Sequence, residues 1–274
     1  MYLIGKFMPN ISLKKNFIWA FIGNAISAFL MWLLLVVLTK IGTAEVVGVF
    51  AVAQAVSLPI SMFFSFKLQM VQVTDAKNEF VFGHYLMLRL ITSVLAAIIT
   101  AVIGFVFYSY ETAIIILLTG ISYAIMAIRE TFLGVMQKSE RMDQMTLSRV
   151  MESAFSLVLF RLFYFWTQSL SVGVLGLIIS RLLVIFVYDL PIARMLLSKM
   201  QIQYKPYYDF KVLKRLFKVA MPLGITAWLG TLFTSIPRLV LDKCGGKAQV
   251  GYFAAISSLL VIGTMVTTAL SQTC

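Results

Sequence analysis

Acidic residues, and charged residues in general, are scarce in this 274-residue chain. Asp and Glu together number 11, and all charged residues make up 12% of the sequence, against roughly 25% in an ordinary soluble domain. Hydrophobic residues account for 61% and the mean hydropathy is +0.94. This balance excludes a soluble globular protein, because so much apolar surface has to be covered by a lipid bilayer.

The residue types used in catalysis and metal binding are equally scarce. The chain has one histidine, His84, and two cysteines, Cys244 and Cys274. No metal-ligand spacing, phosphate-binding glycine loop or nucleophile motif occurs. We therefore expect no enzyme and no cofactor. The topology predicted below places the two cysteines on opposite sides of the membrane, so they cannot pair within one chain.

Eight apolar stretches are present, each close to the roughly 20 residues that a helix needs to cross a bilayer. The predicted spans are residues 17–39, 46–66, 85–108, 112–128, 149–168, 170–189, 217–237 and 249–270. The predicted fold class is therefore an all-α integral membrane protein with about eight transmembrane helices.

Positive charge is distributed unevenly between the two ends of these spans. Sixteen of the 23 Lys and Arg residues lie before the first span or after the second, fourth and sixth, on what we name the basic side, with Arg149 and Lys218 counted there although they fall at the edges of the fifth and seventh spans. Four lie on the opposite side: Lys40, Arg238, Lys243 and Lys247. Because cytoplasmic loops are enriched in Lys and Arg, we expect a cytoplasmic N-terminus. The net charge of +12 thus reflects topology and does not indicate nucleic-acid binding.

One segment of the sequence occurs twice. Residues 37–51 read VLTKIGTAEVVGVFA and residues 240–254 read VLDKCGGKAQVGYFA, with eight of fifteen positions identical. The match extends without gaps to residues 13–51 and 216–254, with eleven identities. Six spans separate the copies, so both enter the membrane in the same direction. Such parallel repeats imply a pseudo-two-fold axis along the membrane normal.

The repeat predicts how the chain is divided. We expect a six-helix lobe (1–195), a cytoplasmic link with an interfacial amphipathic helix (196–215) and the first two helices of a second lobe (216–274). By the measure of the first lobe, four helices of the second are expected to be missing.

Polar residues recur within the duplicated helices. Gln54, Ser57 and Ser61 share one face of the second span at helical spacing. Further polar positions are Asn24 in the first span and Thr226 and Thr234 in the seventh. Small and hydroxyl side chains either knit membrane helices together or line a hydrated cavity. The duplication slightly favours the cavity.

Arginines within the predicted spans are a sharper signal. Arg89, Arg161 and Arg181 lie there with Glu152 as the single acid, apart from Asp189 at the last position of the sixth span, and we expect no buried aspartate that could carry a proton. Arg89 and Glu152 are shallow enough to snorkel. A deep charge usually faces a cavity or a partner, which favours an anionic ligand. Backbone carbonyls around Arg161 and snorkelling of Arg181 are the alternative. The candidate anion-binding residues are Arg161, Arg181, Arg238 and Lys67.

Four stretches resemble polysaccharide flippases of the Wzx type, within the multidrug/oligosaccharidyl-lipid/polysaccharide exporter superfamily. They are FKLQMVQVTDAKNEFVFGHYLMLRLITS (66–93), ETFLGVMQKSERMD (130–143), IPRLVLDKCGGKAQVGYFAAISSLL (236–260) and TTALSQ (267–272). The resemblance covers essentially the whole chain. It implies that the protein moves undecaprenyl-pyrophosphate-linked oligosaccharides across the bacterial inner membrane by alternating access, for capsule, O-antigen or lipopolysaccharide synthesis.

The resemblance also implies a site and partners. The first, second, seventh and eighth helices would border a cationic cavity, in which basic groups hold the pyrophosphate and polar groups contact sugar hydroxyls. Membrane lipids, a polysaccharide polymerase and chain-length proteins are candidate partners. Three alternatives are open: a cation-coupled multidrug exporter, disfavoured by the intramembrane arginines, a truncated lobe that acts only as an interaction protein, and a membrane glycosyltransferase, disfavoured by the lack of an acidic active-site loop.

Overall fold

The computed structural model describes residues 13–202 and 204–271, and the side chains of residues 18–202 and 204–258. Within these ranges the chain forms nine α-helices and one π-helical segment, with no β-strand. The helices are α1 (Leu13–Ile41), α2 (Ala44–Ser65), α3 (Leu68–Thr74), α4 (Phe82–Phe107), α5 (Tyr110–Lys138), α6 (Met142–Thr167), α7 (Leu170–Val184), α8 (Leu190–Lys199) and α9 (Phe210–Ser271). The π-helical segment, Ile185–Asp189, joins α7 to α8.

Seven helical stretches in the described part of the chain are long and apolar enough to cross a membrane. The last of them has 49 residues, or about 70 Å of helix, more than twice the thickness of the hydrocarbon core. It is interrupted at Gly246, where φ is 78°, a backbone conformation that glycine adopts without steric cost. Counting α9 as two spans gives about eight, so the protein is a multi-pass membrane protein, as predicted.

Several predicted boundaries are wrong, and each error has a local cause. The fourth span was predicted to stop at residue 128, before two charged residues, yet α5 continues to Lys138. The predicted loop at 238–248 is helical on both sides of Gly246. At the predicted cytoplasmic link, α9 begins at Phe210, and its Leu213 and Leu216 are buried against α2, α3 and α4. The division into lobes stays a prediction.

The first six spans enclose a polar layer between two apolar layers. Towards the opposite side, Phe50, Ile116 and Val174 belong to one hydrophobic cluster. Towards the basic side, Phe132 and Leu196 belong to another. Charged and hydroxyl side chains of α5, α6 and α7 lie between these clusters. Because apolar groups seal this layer on both sides, its polar groups have to satisfy one another.

The duplicated segments contact each other directly. A Cβ atom on Gly48 of α2 would collide with the carbonyl oxygen of Lys247, and one on Gly251 of α9 would collide with that of Ala44. Position 44 corresponds to 247 and position 48 to 251 in the repeat, so the contact is reciprocal. A two-fold axis produces such a contact, and two glycines let the backbones approach. The repeated residues therefore build the crossing between the two copies.

The crossing is capped on the opposite side by charged and aromatic groups. Lys247 lies over the ring of Tyr108, with 4.9 Å between Nζ and the ring centroid. It also pairs with Asp242 at 2.7 Å. Burial, together with the Asp242 charge, raises the pKa of the Tyr108 phenol. The tyrosine therefore stays neutral at physiological pH and presents its ring to the lysine as a cation–π partner.

Candidate functional site

An ion network occupies the polar layer. Arg129 of α5 donates from Nε to Asp189 Oδ2 at 2.7 Å and from Nη2 to Ser148 Oγ at 2.6 Å. Its Nη1 lies 3.5 Å from Glu152 Oε2. Ser148 also donates to the other carboxylate oxygen of Asp189. All four side chains are buried, so the ion pairs are surrounded by hydrogen bonds, as buried charges require.

Arg181 of α7 extends the same network. Its Nε donates to Glu152 Oε1 at 3.1 Å, and its Nη1 donates to Ser122 Oγ at 2.6 Å. Ser156 donates to the same Glu152 oxygen at 3.2 Å. Glu152 is thus shared by two arginines from different helices, and the network joins α5, α6 and α7 through a single carboxylate.

The π-helical segment places the last acid. Asp189 ends the segment Ile185–Asp189, and Pro191 follows in the first turn of α8. A π-turn inserts one residue into the helix and shifts the side chains that follow around the helix axis. Asp189 is fully buried on the inner face and faces Arg129. The π-helical segment therefore places the carboxylate of Asp189 where it pairs with Arg129.

This network overturns several expectations from the sequence. Arg181 does have an acid at its depth, and Glu152 is buried between two arginines instead of snorkelling. Arg89 does not snorkel either: it is 0% exposed and contacts Glu130 at 3.4 Å. The expected absence of a buried aspartate is wrong, since Asp189 is 0% exposed. These expectations failed for two reasons. Glu152 was expected to be too shallow to pair with Arg181, and α5 was expected to end before Arg129 and Glu130, which pair with Asp189 and Arg89.

Two adjacent cavities lie beside the network and share the walls formed by Ala28, Met31 and Met126. The basic-side cavity, about 430 Å³, lies between α1, α5 and α6. The central cavity, about 370 Å³, lies between α1, α2, α5, α7 and Ser258 of α9. Both volumes fall within the range of roughly 300–1,000 Å³ that is usual for small-molecule sites.

The basic-side cavity is lined by two arginines, Arg129 and Arg149, and two carboxylates, Glu130 and Glu152, and of the two arginines Arg149 is the one that contacts no carboxylate. Arg149 of α6 donates from Nη1 to the side-chain oxygen of Asn24 at 2.9 Å. No Asp or Glu lies within 4.0 Å of it among the side chains described for residues 18–202 and 204–258. The Ser27 hydroxyl in the same wall has no protein partner. This wall therefore offers hydrogen-bond donors and a guanidinium group that no carboxylate contacts.

The central cavity offers polar atoms of a different kind. Thr119 Oγ1 and Trp32 Nε1 are buried in its walls without a hydrogen-bond partner. Gln54 also lines it, and Arg181 reaches it from the ion network. Buried polar atoms without a protein partner are uncommon in folded proteins, and such atoms usually bind an ordered water molecule or a ligand. The central cavity is thus suited to a molecule rich in hydroxyl groups.

The structure brings together three of the ten residues that the sequence singled out. Asn24 lines the basic-side cavity, and Gln54 and Arg181 line the central one. Ser57 and Ser61 are buried within the bundle. Ser57 donates to the carbonyl of Ile116 and so joins α2 to α5. The remaining five residues line neither cavity: Lys67, Arg161, Arg238, Thr226 and Thr234.

Of those five residues, two are exposed basic side chains, two are threonines that form hydrogen bonds within their own helix and one is partly buried. Arg161 and Lys67 are exposed, and Lys67 precedes α3 with a positive φ of 49°. Thr226 and Thr234 donate to carbonyls of their own helix. Arg238 is partly buried. Sequence reasoning missed Arg149 and Thr119, which carry no special spacing; only the helix packing identifies them.

Comparison with known proteins places the chain in a family. A family model described as polysaccharide biosynthesis protein matches residues 13–274. The chain belongs to the polysaccharide biosynthesis protein family. CapF of Staphylococcus aureus, a capsular polysaccharide biosynthesis protein, is 32% identical over 269 residues, covering 94% of this chain and 64% of CapF. This member of the family therefore spans less than two thirds of that relative's length.

Solved transporter structures share the fold. A MOP-superfamily transporter from Pyrococcus furiosus, described as having a binding pocket of reverse polarity, superposes with a TM-score of 0.61 at 18% identity, over 93% of this chain and 62% of its own. An outward-facing multidrug-resistance MATE transporter gives 0.54 at 16% identity, with the same coverage. This polysaccharide biosynthesis family member thus has the MOP helical fold.

Proposed function

We propose that the protein translocates undecaprenyl-pyrophosphate-linked oligosaccharide repeat units across the bacterial inner membrane, for surface polysaccharide synthesis. The observation that carries the proposal is the pair of adjacent cavities inside the bundle, one with a free arginine and one with unpartnered polar atoms. An anionic headgroup and a sugar are the two chemical parts of such a substrate. Family membership and the relative CapF support the same conclusion.

The reciprocal crossing at Gly48 and Gly251 supports alternating access as the mechanism. Two copies of one unit that meet on a two-fold axis can rock against each other around a central site. In this scheme the sugar and pyrophosphate travel between the lobes while the lipid tail stays in the bilayer. Membrane lipids, a polysaccharide polymerase and chain-length proteins are the proposed partners.

Deletion of the gene in its host tests the proposal. Lipid-linked repeat units should accumulate on the cytoplasmic leaflet, and expression of the protein from a plasmid should return them to the outer leaflet. A multidrug exporter would instead change drug susceptibility and leave the glycan intermediates unaltered. Normal surface glycan in the deletion strain would contradict the proposed function.

We also propose that the basic side is cytoplasmic, which is testable by labelling. Cys244 is exposed and should react with a membrane-impermeant maleimide in whole cells. In a background with both Cys244→Ser and Cys274→Ser, Lys77→Cys, at an exposed position between α3 and α4, should react only after the membrane is permeabilised. The reverse pattern would invert the topology.

A further inference from the structure

The lining of the basic-side cavity holds two arginines and two carboxylates, but each of those carboxylates is also paired with an arginine outside the lining, so the charges of the whole cluster do not cancel. Arg129 and Arg181 are paired with Glu152 and Asp189, and Arg89 is paired with Glu130. Arg149 is the fourth buried or half-buried arginine in this region and has an amide, not a carboxylate, as its partner. Four arginines against three acids leave one positive charge, and Arg149 is the residue that presents it to the cavity.

The position of Arg149 argues against simple snorkelling. Thr146, one turn nearer the basic end of α6, donates to the carbonyl oxygen of Trp19 at 3.0 Å and touches Gly23. Since α1 and α6 run in the same direction, Asn24 lies at about the level of Arg149. The hydrogen bond to Asn24 therefore holds the guanidinium sideways in the cavity wall, whereas a snorkelling arginine extends along the helix towards the headgroups.

An uncompensated arginine at this depth calls for an anion. A charge within a span is costly and usually faces a partner or a water-filled cavity. The guanidinium fork matches phosphate oxygens, which it binds through two parallel hydrogen bonds. Ser27, with its unpartnered hydroxyl, lies in the same cavity and can add a third donor.

We propose that Arg149, steadied by Asn24, is the group that binds a phosphate of the substrate, and that the neutrality of Asn24 is what leaves this charge available. This inference rests on the proposed function for the identity of the ligand, a lipid-borne diphosphate. It differs from the expectation from sequence, which assigned the anion to Arg161, Arg181 and Arg238.

The Asn24→Asp substitution tests the inference directly. The new carboxylate has nearly the shape of the amide and would pair with Arg149 at the same distance, so the fold is retained while the free charge is cancelled. Binding of inorganic pyrophosphate to the purified chain in zwitterionic nanodiscs is measured by calorimetry. Asn24→Asp and Arg149→Gln should each weaken binding at least about tenfold.

Two control variants make the result specific. Asn24→Ser removes the amide without adding charge and should keep measurable affinity. Arg161→Gln removes an exposed arginine of the same helix that lines neither cavity, and its affinity should equal that of the unaltered protein. Equal affinity in Asn24→Asp and the unaltered chain, or an equal loss in Arg161→Gln, would overturn the assignment.

Competition distinguishes a lipid headgroup from a free phosphate. Undecaprenyl pyrophosphate incorporated into the nanodisc should displace inorganic pyrophosphate from the unaltered protein. If both bind together without competition, the assignment to a lipid-borne phosphate is wrong. Failure of the function is separable: anion binding that depends on Arg149, together with normal surface glycan in the deletion strain, would retain the site and reject the transport reaction.

Discussion

Arginine has two different roles in two neighbouring regions of this bundle. In the polar layer, Arg129 and Arg181 share Glu152, and serine hydroxyls complete their hydrogen bonds. In the wall between α1 and α6, Arg149 donates to the side-chain oxygen of Asn24 and contacts no carboxylate. Depth within a span therefore does not decide whether an arginine is structural or binds a ligand. The acids within its reach decide it.

The two regions should also differ in how they respond to mutation. A buried ion pair contributes little net stability compared with apolar packing, yet removal of one partner leaves an isolated charge and is strongly destabilising. Arg149 contacts no carboxylate, so its replacement leaves no partner charge isolated. We therefore expect substitutions in the ion network to lower stability strongly. Substitutions at Arg149 and Asn24 should impair function and change stability little.

The largest effect is expected for Glu152→Gln. The substitution leaves both Arg129 and Arg181 without their shared carboxylate, and we expect the free energy of unfolding to fall by about 3–5 kcal/mol. Thermal denaturation in detergent and abundance in the membrane measure it. The double variant with Arg181→Met should lose less than the sum of the two single changes, because the sites are coupled.

The exposed Glu111 in the first turn of α5 provides the control for that experiment. Glu111→Gln should leave stability unchanged within about 0.5 kcal/mol. If Glu152→Gln leaves stability as unchanged as Glu111→Gln does, the ion network does not stabilise the fold.

An intermediate effect is expected at the crossing of the repeats. Gly48→Ala and Gly251→Ala each force a Cβ atom against the backbone of the other copy, and overpacking of this kind costs about 1–3 kcal/mol. Gly230→Ala in α9 is the matched control, because no atom lies within 4 Å of the added Cβ. Alanine also favours helix by about 1 kcal/mol, so this variant should be neutral or more stable. Similar results for all three glycines would contradict the close crossing.

The smallest effects on stability are expected for Thr119→Val and Ser57→Ala, and the two substitutions should differ in their effect on export. Thr119 Oγ1 is buried without a partner in the central cavity, so Thr119→Val should leave stability unchanged or raise it by up to about 1 kcal/mol. Export per molecule of protein should nevertheless fall, since a donor to the sugar is lost. Ser57→Ala should show the opposite pattern, because Ser57 bonds to Ile116 and lines no cavity. Unaltered export in Thr119→Val would remove the central cavity from the substrate path.

Much of the fold could be predicted from the sequence, because apolar length and repeated segments are local signals. The repeat predicted two parallel copies related by a two-fold axis, and Gly48 and Gly251, which are identical in the two copies, lie where α2 and α9 touch. The helix ends were less predictable. Hydropathy ended the fourth span before Arg129 and Glu130, whereas α5 continues because Asp189 and Arg89 supply their counter-charges.

The site could be predicted only in part, for a related reason. Asn24, Gln54 and Arg181 were found from polarity within spans, and all three line a cavity. Pairing across a bundle is not visible in a single sequence, so Arg181 was expected to lack an acid although Glu152 lies at 3.1 Å. Arg149 was counted among the basic loop residues at the edge of a span, and only the position of α1 shows that it faces a cavity.

The most direct test of the account is the distribution of lipid-linked repeat units between the two leaflets in cells that carry Asn24→Asp, normalised to the amount of protein in the membrane. The account predicts normal protein abundance and accumulation of repeat units on the cytoplasmic leaflet, because the carboxylate cancels the charge of Arg149. Normal export by Asn24→Asp at normal abundance would contradict the claim that the charge of Arg149 holds the substrate.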